Sequence, residues 1–128
     1  MHCYTILFIS HLLCLAWTFA PAPATAQVIQ WLSPLAHDFG QIRARQPVTC
    51  EFIYRNTSPR PLTIDNVRTT CGCTAPDWSA QPIASGAADT IRIEFDAYRP
   101  GYFNKKIKVY WSGIRQPALL TITGEVVE

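Results

Sequence analysis

Apolar side chains recur at every second position along most of the chain. In "VTCEFIYRN", Val48, Cys50, Phe52 and Tyr54 fall on one side, while Thr49, Glu51 and Arg55 fall on the other. "TIRIEFD" alternates in the same way, with Ile91, Ile93 and Phe95 against Thr90, Arg92, Glu94 and Asp96. Phe103, Ile107, Val109 and Trp111 repeat the pattern, as do Leu120, Ile122 and Val126, and "PLTIDNV" supplies Leu62 and Ile64 before a bulge brings in Val67. Successive side chains of an extended chain point to opposite faces, so a period of two describes antiparallel strands with one face buried and one wet. Ile91, Ile93 and Phe95 are expected to pack across the core against Phe52 and Ile107. A further strand is expected in "HDFGQI", and no stretch carries helical periodicity.

Turn residues separate these segments: Ser58-Pro59-Arg60-Pro61, Ser85-Gly86, Arg99-Pro100-Gly101 and Ser112-Gly113. Six or seven short strands in about a hundred residues describe an all-β fold, an immunoglobulin-like antiparallel β-sandwich of about seven strands. The cysteine pair that ties the two sheets in many such domains is missing. Cys50 lies on the second strand, yet Tyr102 to Trp111 holds no partner for it, so sheet packing must hold the sandwich together. Cys50 shares a face with Phe52 and reads as a small core hydrophobe.

The first 26 of the 128 residues follow a different rule. An apolar run, Ile6 to Phe19, is followed by small residues at Ala22, Ala24 and Ala26, the pattern of a secretory signal peptide with an Ala-x-Ala cleavage site. The run is shorter than the roughly 20 residues needed to span a bilayer and is ended by Pro21 and Pro23. No Lys or Arg precedes it, only His2. Cys14 follows Leu12-Leu13 inside the apolar run, which does not fit lipid attachment. Residues 1–26 are therefore expected to be removed, leaving one domain over 27–128, exported to the periplasm or cell envelope with no membrane span. Cleavage takes two of the five cysteines and two of the three histidines. The net charge of +2 is carried wholly by the remainder and argues against nucleic acid as a partner.

"HDFGQI", then "FIYRNTSPRPLTIDNVRTTCGCTAP", then "PIASGAADTIRIEFDAYRPGYFNKKIKVYWSG" and a closing "LLTITGEV" together resemble a bacterial secreted family, the domain of unknown function 1573. The family pattern is Phe-Gly, a strand ending in Asn, Pro-Leu-x-Ile, Cys-Gly-Cys-Thr, a Pro-Gly turn and a Gly-x-Phe strand start. Ser85-Gly86 stands here in place of the Pro-Gly turn. The resemblance implies an immunoglobulin-like fold related to sperm-protein and cilium-associated modules, and an envelope location. It implies no established activity.

Cys71-Gly72-Cys73 is the motif with the most chemistry. A disulfide is the usual fate of paired cysteines in an exported protein. On an extended strand, positions i and i+2 share a face with Cα atoms near the limit for bridging, so a bond requires Gly72 to let the backbone tighten. As thiolates, the pair would suit copper(I) or disulfide exchange. A zinc site would need four ligands, with Cys50 and His37 brought close. The preferred reading is structural, a turn whose cysteines pack in the base of the sandwich with no cofactor bound, Gly72 mattering most where its backbone needs positive φ. The alternative is a periplasmic thiol protein acting through Cys71 and Cys73.

Nothing in the sequence marks an enzyme. His37 is the single imidazole left after cleavage, no Gly-x-Ser-x-Gly elbow is present, and no acid pair marks a cleft. Asn56-Thr57-Ser58 matches a glycosylation sequon, but Asn56 ends a strand, where its side chain can bond the turn backbone. Thr90, in Asp89-Thr90-Ile91, resembles an O-glycan acceptor. The candidate binding face is the outward side of the sixth strand, where Tyr102, Asn104, Lys106, Lys108 and Tyr110 form a basic stripe with an aromatic at each end. A non-enzymatic module that binds an envelope protein or a glycan, or builds envelope structure, is the expected role.

Overall fold

The computed structural model describes residues 27–128, and the expected leader, with Cys3 and Cys14, lies outside the described residues. Eight strands follow in order: β1 (Ile29–Trp31), β2 (Ala36–Arg43), β3 (Val48–Asn56), β4 (Ile64–Thr69), β5 (Thr74–Asp77), β6 (Ala88–Phe95), β7 (Gly101–Trp111) and β8 (Ala118–Val127). They form two sheets, β1-β3-β6-β5 and β2-β8-β7-β4. None of the described residues is helical, and none of the described elements is a helix long and apolar enough to cross a membrane. The result is an immunoglobulin-like β-sandwich.

The expected first strand is present as β2, with one strand more before it. Ser33-Pro34 splits the opening segment, since proline has no N–H for a ladder. β1 pairs antiparallel with β3, and β2 crosses to the other sheet to pair parallel with β8. The Leu32 amide and the Ser33 hydroxyl hold the crossing to Ile53 of β3. The expected bulge in β4 lies between Ile64 and Asn66, and it turns Val67 into the core.

The alternation seen in the sequence is the alternation of burial. Phe52, Tyr54, Ile91, Ile93 and Phe95 line one sheet's inner face, and Ile107, Val109, Trp111, Leu120, Ile122 and Val126 line the other's. One expected contact is corrected: Phe52 is the ladder partner of Ile91 within the same sheet, so the two pack side by side. Contact across the sandwich is made at one end by Phe95 and Phe103, whose rings stack at 4.1 Å, and at the other by Tyr54 and Trp111 at 4.8 Å. Each fully buried side chain of this size contributes about 1.5–3 kcal/mol, so the sheets cohere without an inter-sheet disulfide. Cys50 is a free, buried thiol, and burial, then the Glu51 carboxylate, push its pKa up to about 11. Burial and then Asp89 raise the Tyr54 phenol as well.

Candidate functional site

Cys71, Gly72 and Cys73 lie in the turn that carries the chain from β4 in one sheet to β5 in the other, not on a strand. The turn brings the two Cα atoms to 5.3 Å, and the cysteines form a disulfide. Gly72 achieves this outside the left-handed region, and a Cβ built on it meets no atom within 4 Å, so positive φ is not what the glycine supplies. The expected packing holds in part: Cys73 packs against the core, while both cysteines are half-buried and line a cleft. The chain passes there from the edge of one sheet to the edge of the other. Thr69 Oγ1 donates to the Cys71 carbonyl at 3.0 Å, and the Asp96 amide donates to the Cys73 carbonyl at 3.0 Å. Thr74 Oγ1 lies 3.6 Å from Cys71 Sγ and 3.9 Å from Cys73 Sγ.

The cleft has a volume of about 420 Å³, and Phe95 and Phe103 reach into it from the core. Beside the disulfide, its lining includes Tyr98, Arg99, Tyr102 and Lys105. The β6–β7 turn presents the first two, and Tyr102 is the second residue of β7. Asp96 Oδ1 accepts from the Tyr98 amide at 3.1 Å, and buried Ala97 takes a φ of +52° and accepts from the Arg45 amide at 2.9 Å. Tyr98 is 63% and Tyr102 86% exposed, far more than an aromatic ring gains by in water. Lys105 arrives by another route. It occupies an inward position of β7, between buried Phe103 and Ile107, and is itself half-buried.

Sequence reasoning did not single out Lys105, Arg99 or Tyr98. The signal for Lys105 was present, a cation where the alternation of Phe103, Ile107, Val109 and Trp111 demands an apolar side chain.

The expected stripe Tyr102, Asn104, Lys106, Lys108 and Tyr110 does share one outer face of β7, exposed except for half-buried Tyr110. Lys106 Nζ donates to Thr121 Oγ1 at 3.1 Å. The ladder adds a residue that the sequence could not place there: Arg68 of β4 stands directly opposite Lys108, with its guanidinium 5.4 Å from the Tyr110 ring centre. Tyr102, at the other end, belongs both to this face and to the cleft, and it faces Glu125 across the ladder.

The remaining candidates are dispersed. His37 is exposed on β2 with its ring 4.5 Å from Phe39, and Cys50 is in the core. Among the described residues no three His, Cys, Asp or Glu come together as a metal cluster, so the four-ligand zinc arrangement does not form. In the bridged state the Cys71 and Cys73 sulfurs are not thiolates, and copper(I) would need them reduced. Asn56 is fully buried and donates both amide hydrogens, to the carbonyls of Arg60 at 2.7 Å and Ile83 at 3.0 Å. The folded domain therefore offers no free Asn56 nitrogen to a glycan. Thr90 is half-buried on β6, beside exposed Arg92.

The order of these features along the chain is that of a recognised family. The model of the protein of unknown function DUF1573 matches residues 31–126. The chain belongs to this family. No curated protein matches it. Among solved structures it is similar to a protein of unknown function from Porphyromonas gingivalis W83, at 18% identity and a TM-score of 0.64, covering 82% of this chain and 50% of that one. It thus spans about half the length of that protein. It is also similar to the ASH / PapD-like domain 7 of human CEP192, at 8% identity and a TM-score of 0.68, covering 88% and 96%. The Vibrio cholerae VesB protease matches at 16% identity and a TM-score of 0.56, over 77% of this chain and 32% of the protease. At such identities the likeness is one of fold alone.

Proposed function

We propose that this DUF1573 domain is a non-catalytic binding module of the bacterial cell envelope, exported by residues 1–26, that engages an acidic protein or glycan through the outer face of its β2-β8-β7-β4 sheet. The observation that carries this reading is the juxtaposition of Arg68 and Lys108 at directly opposed ladder positions, with Lys106 on the same face of β7. Like charges set opposite each other destabilise a sheet. Here they meet no compensating acid: the one ion pair among the described residues is Arg92 with Glu51, at 2.8 Å on the other sheet. Tyr110 beside them adds a ring face that stacks on a sugar or packs on a peptide. Of the acids on this sheet, Asp38 and Glu125 sit apart at the Tyr102 corner, and exposed Asp65 lies at the β4 bulge without an ion pair to Arg68 or Lys108.

The test is titration of the purified domain with polyglutamate and with soluble peptidoglycan fragments, at low salt and again at high salt. Wild type should bind one of them, more weakly in salt, because exposed charges are screened beyond about 8–10 Å at physiological ionic strength. The variant Arg68→Glu with Lys108→Glu should lose binding about tenfold or more. Equal binding by variant and wild type, or no binding of either ligand by the wild type, would overturn the reading.

A further inference from the structure

The turn between β4 and β5 holds a bridge that the architecture does not need. A disulfide stabilises mainly by restricting the unfolded chain, and the effect grows with the number of residues enclosed. Cys71 and Cys73 enclose only Gly72, so this bond restricts the unfolded chain less than a longer one would. It does not tie the sheets either, since both sulfurs belong to one turn, and the sandwich closes on that side through Phe95 and Phe103. What the position does provide is access. Both cysteines are half-buried on the lining of a cleft of about 420 Å³. Arg99 and Lys105 line the same cleft and make it basic, while its acid, Asp96, is held by the Tyr98 amide.

We propose that this cleft is a thiol–disulfide exchange site, in which Cys71–Cys73 accepts two electrons from a pair of cysteines on an acidic polypeptide. Arg99 and Lys105 attract the polypeptide by charge, and Tyr98 and Tyr102 flank it with exposed rings. The incoming thiolate attacks one sulfur of the pair and expels the other as a thiolate, leaving a mixed disulfide. The second cysteine of the polypeptide, also as a thiolate, then attacks the polypeptide's own sulfur in that mixed disulfide. A disulfide forms in the polypeptide, and Cys71 and Cys73 leave as a dithiol that takes up the two protons the polypeptide lost. Two electrons and two protons move, and no other reactant is required. Thr74 Oγ1, close to both sulfurs, is placed to donate a hydrogen bond to whichever leaves as a thiolate, as charge-assisted bonding favours.

This proposal does not depend on the outer face, because Arg68 and Lys108 are not among the residues that line the cleft. Its test therefore uses small thiols and no envelope partner. Native protein is exposed to glutathione, whose thiolate form carries two net negative charges, or to cysteamine, whose thiolate form is net neutral, at equal thiolate concentration. New thiols are trapped by alkylation and located by peptide mapping, so that buried Cys50 is counted separately. Glutathione should reduce Cys71–Cys73 about tenfold faster at low ionic strength, the size of a modest electrostatic steering effect. Salt should erase that advantage. Arg99→Gln with Lys105→Gln should bring glutathione down to parity with cysteamine. A bond that resists both thiols until urea unfolds the chain overturns the proposal. So does a glutathione advantage that is absent from the start or survives the double substitution.

Discussion

Replacing Asn56 asks whether one buried amide holds the end of the sandwich where β3 stops. Its Oδ1 accepts from the Ser58 amide at 2.9 Å and the Ser58 hydroxyl at 2.7 Å, and its two N–H groups reach the Arg60 and Ile83 carbonyls. An amide has two donors and an acceptor with two lone pairs, so the side chain is saturated. Asn56→Ala removes four bonds of about 0.5–1.5 kcal/mol each. The Ile83 carbonyl keeps the Leu62 amide, and the single hydrogen of the Ser58 hydroxyl, released from Oδ1, can turn to the Arg60 carbonyl 2.8 Å away, so the loss should sit near the lower end, about 2–4 kcal/mol. Asn56→Asp keeps the shape but turns two donors into lone pairs that face two carbonyl oxygens. At pH 7 it should cost at least about 1 kcal/mol more than alanine, since an unpaired buried charge is dearer than a missing bond. That carboxyl's folded pKa must lie above its unfolded value of about 3.9. Its stability is then fullest below the unfolded pKa and is lost as pH rises through the folded one. Urea unfolding followed by tryptophan fluorescence at pH 4 and pH 7 reads all three quantities. An alanine cost below about 1 kcal/mol, the ordinary effect of a surface change, or an aspartate variant no worse than alanine at pH 7, would refute the argument.

Phe95→Ala removes the ring stacked on Phe103 and should cost about 3–5 kcal/mol in the same assay; a cost under about 1 kcal/mol would show that β6 does not present this face to the core. Gly124→Ala should cost about 1–3 kcal/mol by overpacking, because its Cβ would lie 2.7 Å from Phe103 Cζ and 2.9 Å from the Gly40 carbonyl, and Phe103→Leu should recover part of the loss in a double-mutant cycle. Cys50 ionises near 9.0 when exposed and near 11 when folded, so the stability it confers is complete below about pH 9 and declines toward pH 11 by about 2–3 kcal/mol. Cys50→Val should flatten that part of the alkaline slope, and an unchanged slope would place the thiol in water. Cys71→Ser with Cys73→Ser should cost no more than about 2 kcal/mol, the loop-entropy value for so short a ring, and Gly72→Ala should be near neutral. A double-serine cost above about 3 kcal/mol would make the bridge a structural staple and weaken the case for exchange.

The sandwich was legible because its information is local. Ile91, Ile93 and Phe95 declare their face within six residues, and Ser85-Gly86 still makes the turn that Pro-Gly makes elsewhere, since Gly86 carries the needed positive φ of +79°. What could not be read was anything set by register between distant strands. Phe52 and Ile91 share a sheet, not an interface, because β3 lies beside β6. Arg68 meets Lys108 because a bulge at Asp65 resets the β4–β7 ladder, and no pattern within "PLTIDNV" fixes the partner that results. The crossing of the opening segment from one sheet to the other was hidden for the same reason: Ser33-Pro34 marks a break, but not which sheet each half joins.

The cleft gathers residues of this second kind. The Cys71–Cys73 turn, the β6–β7 turn and Lys105 are separated by more than twenty residues at their first step, and each is unremarkable alone: a weak Cys-x-Cys, a Pro-Gly corner, one cation out of phase. The hydrogen bond from the Asp96 amide to the Cys73 carbonyl joins the two turns, and the β7 register brings Lys105 in from the sheet beside them. An inward lysine on β7 costs burial that an apolar residue would have gained, and a three-residue disulfide ring adds little stability. A lysine that forgoes burial and a bridge that the fold gains little from, placed on the lining of one cleft, are better explained by a shared ligand than by two separate accidents of packing. Lys105 is therefore the informative position. If Lys105→Leu stabilises the domain in urea and at the same time removes the preference for an anionic thiol, the lysine is held there against the interest of the fold. If it does neither, the cleft is a seam between turns.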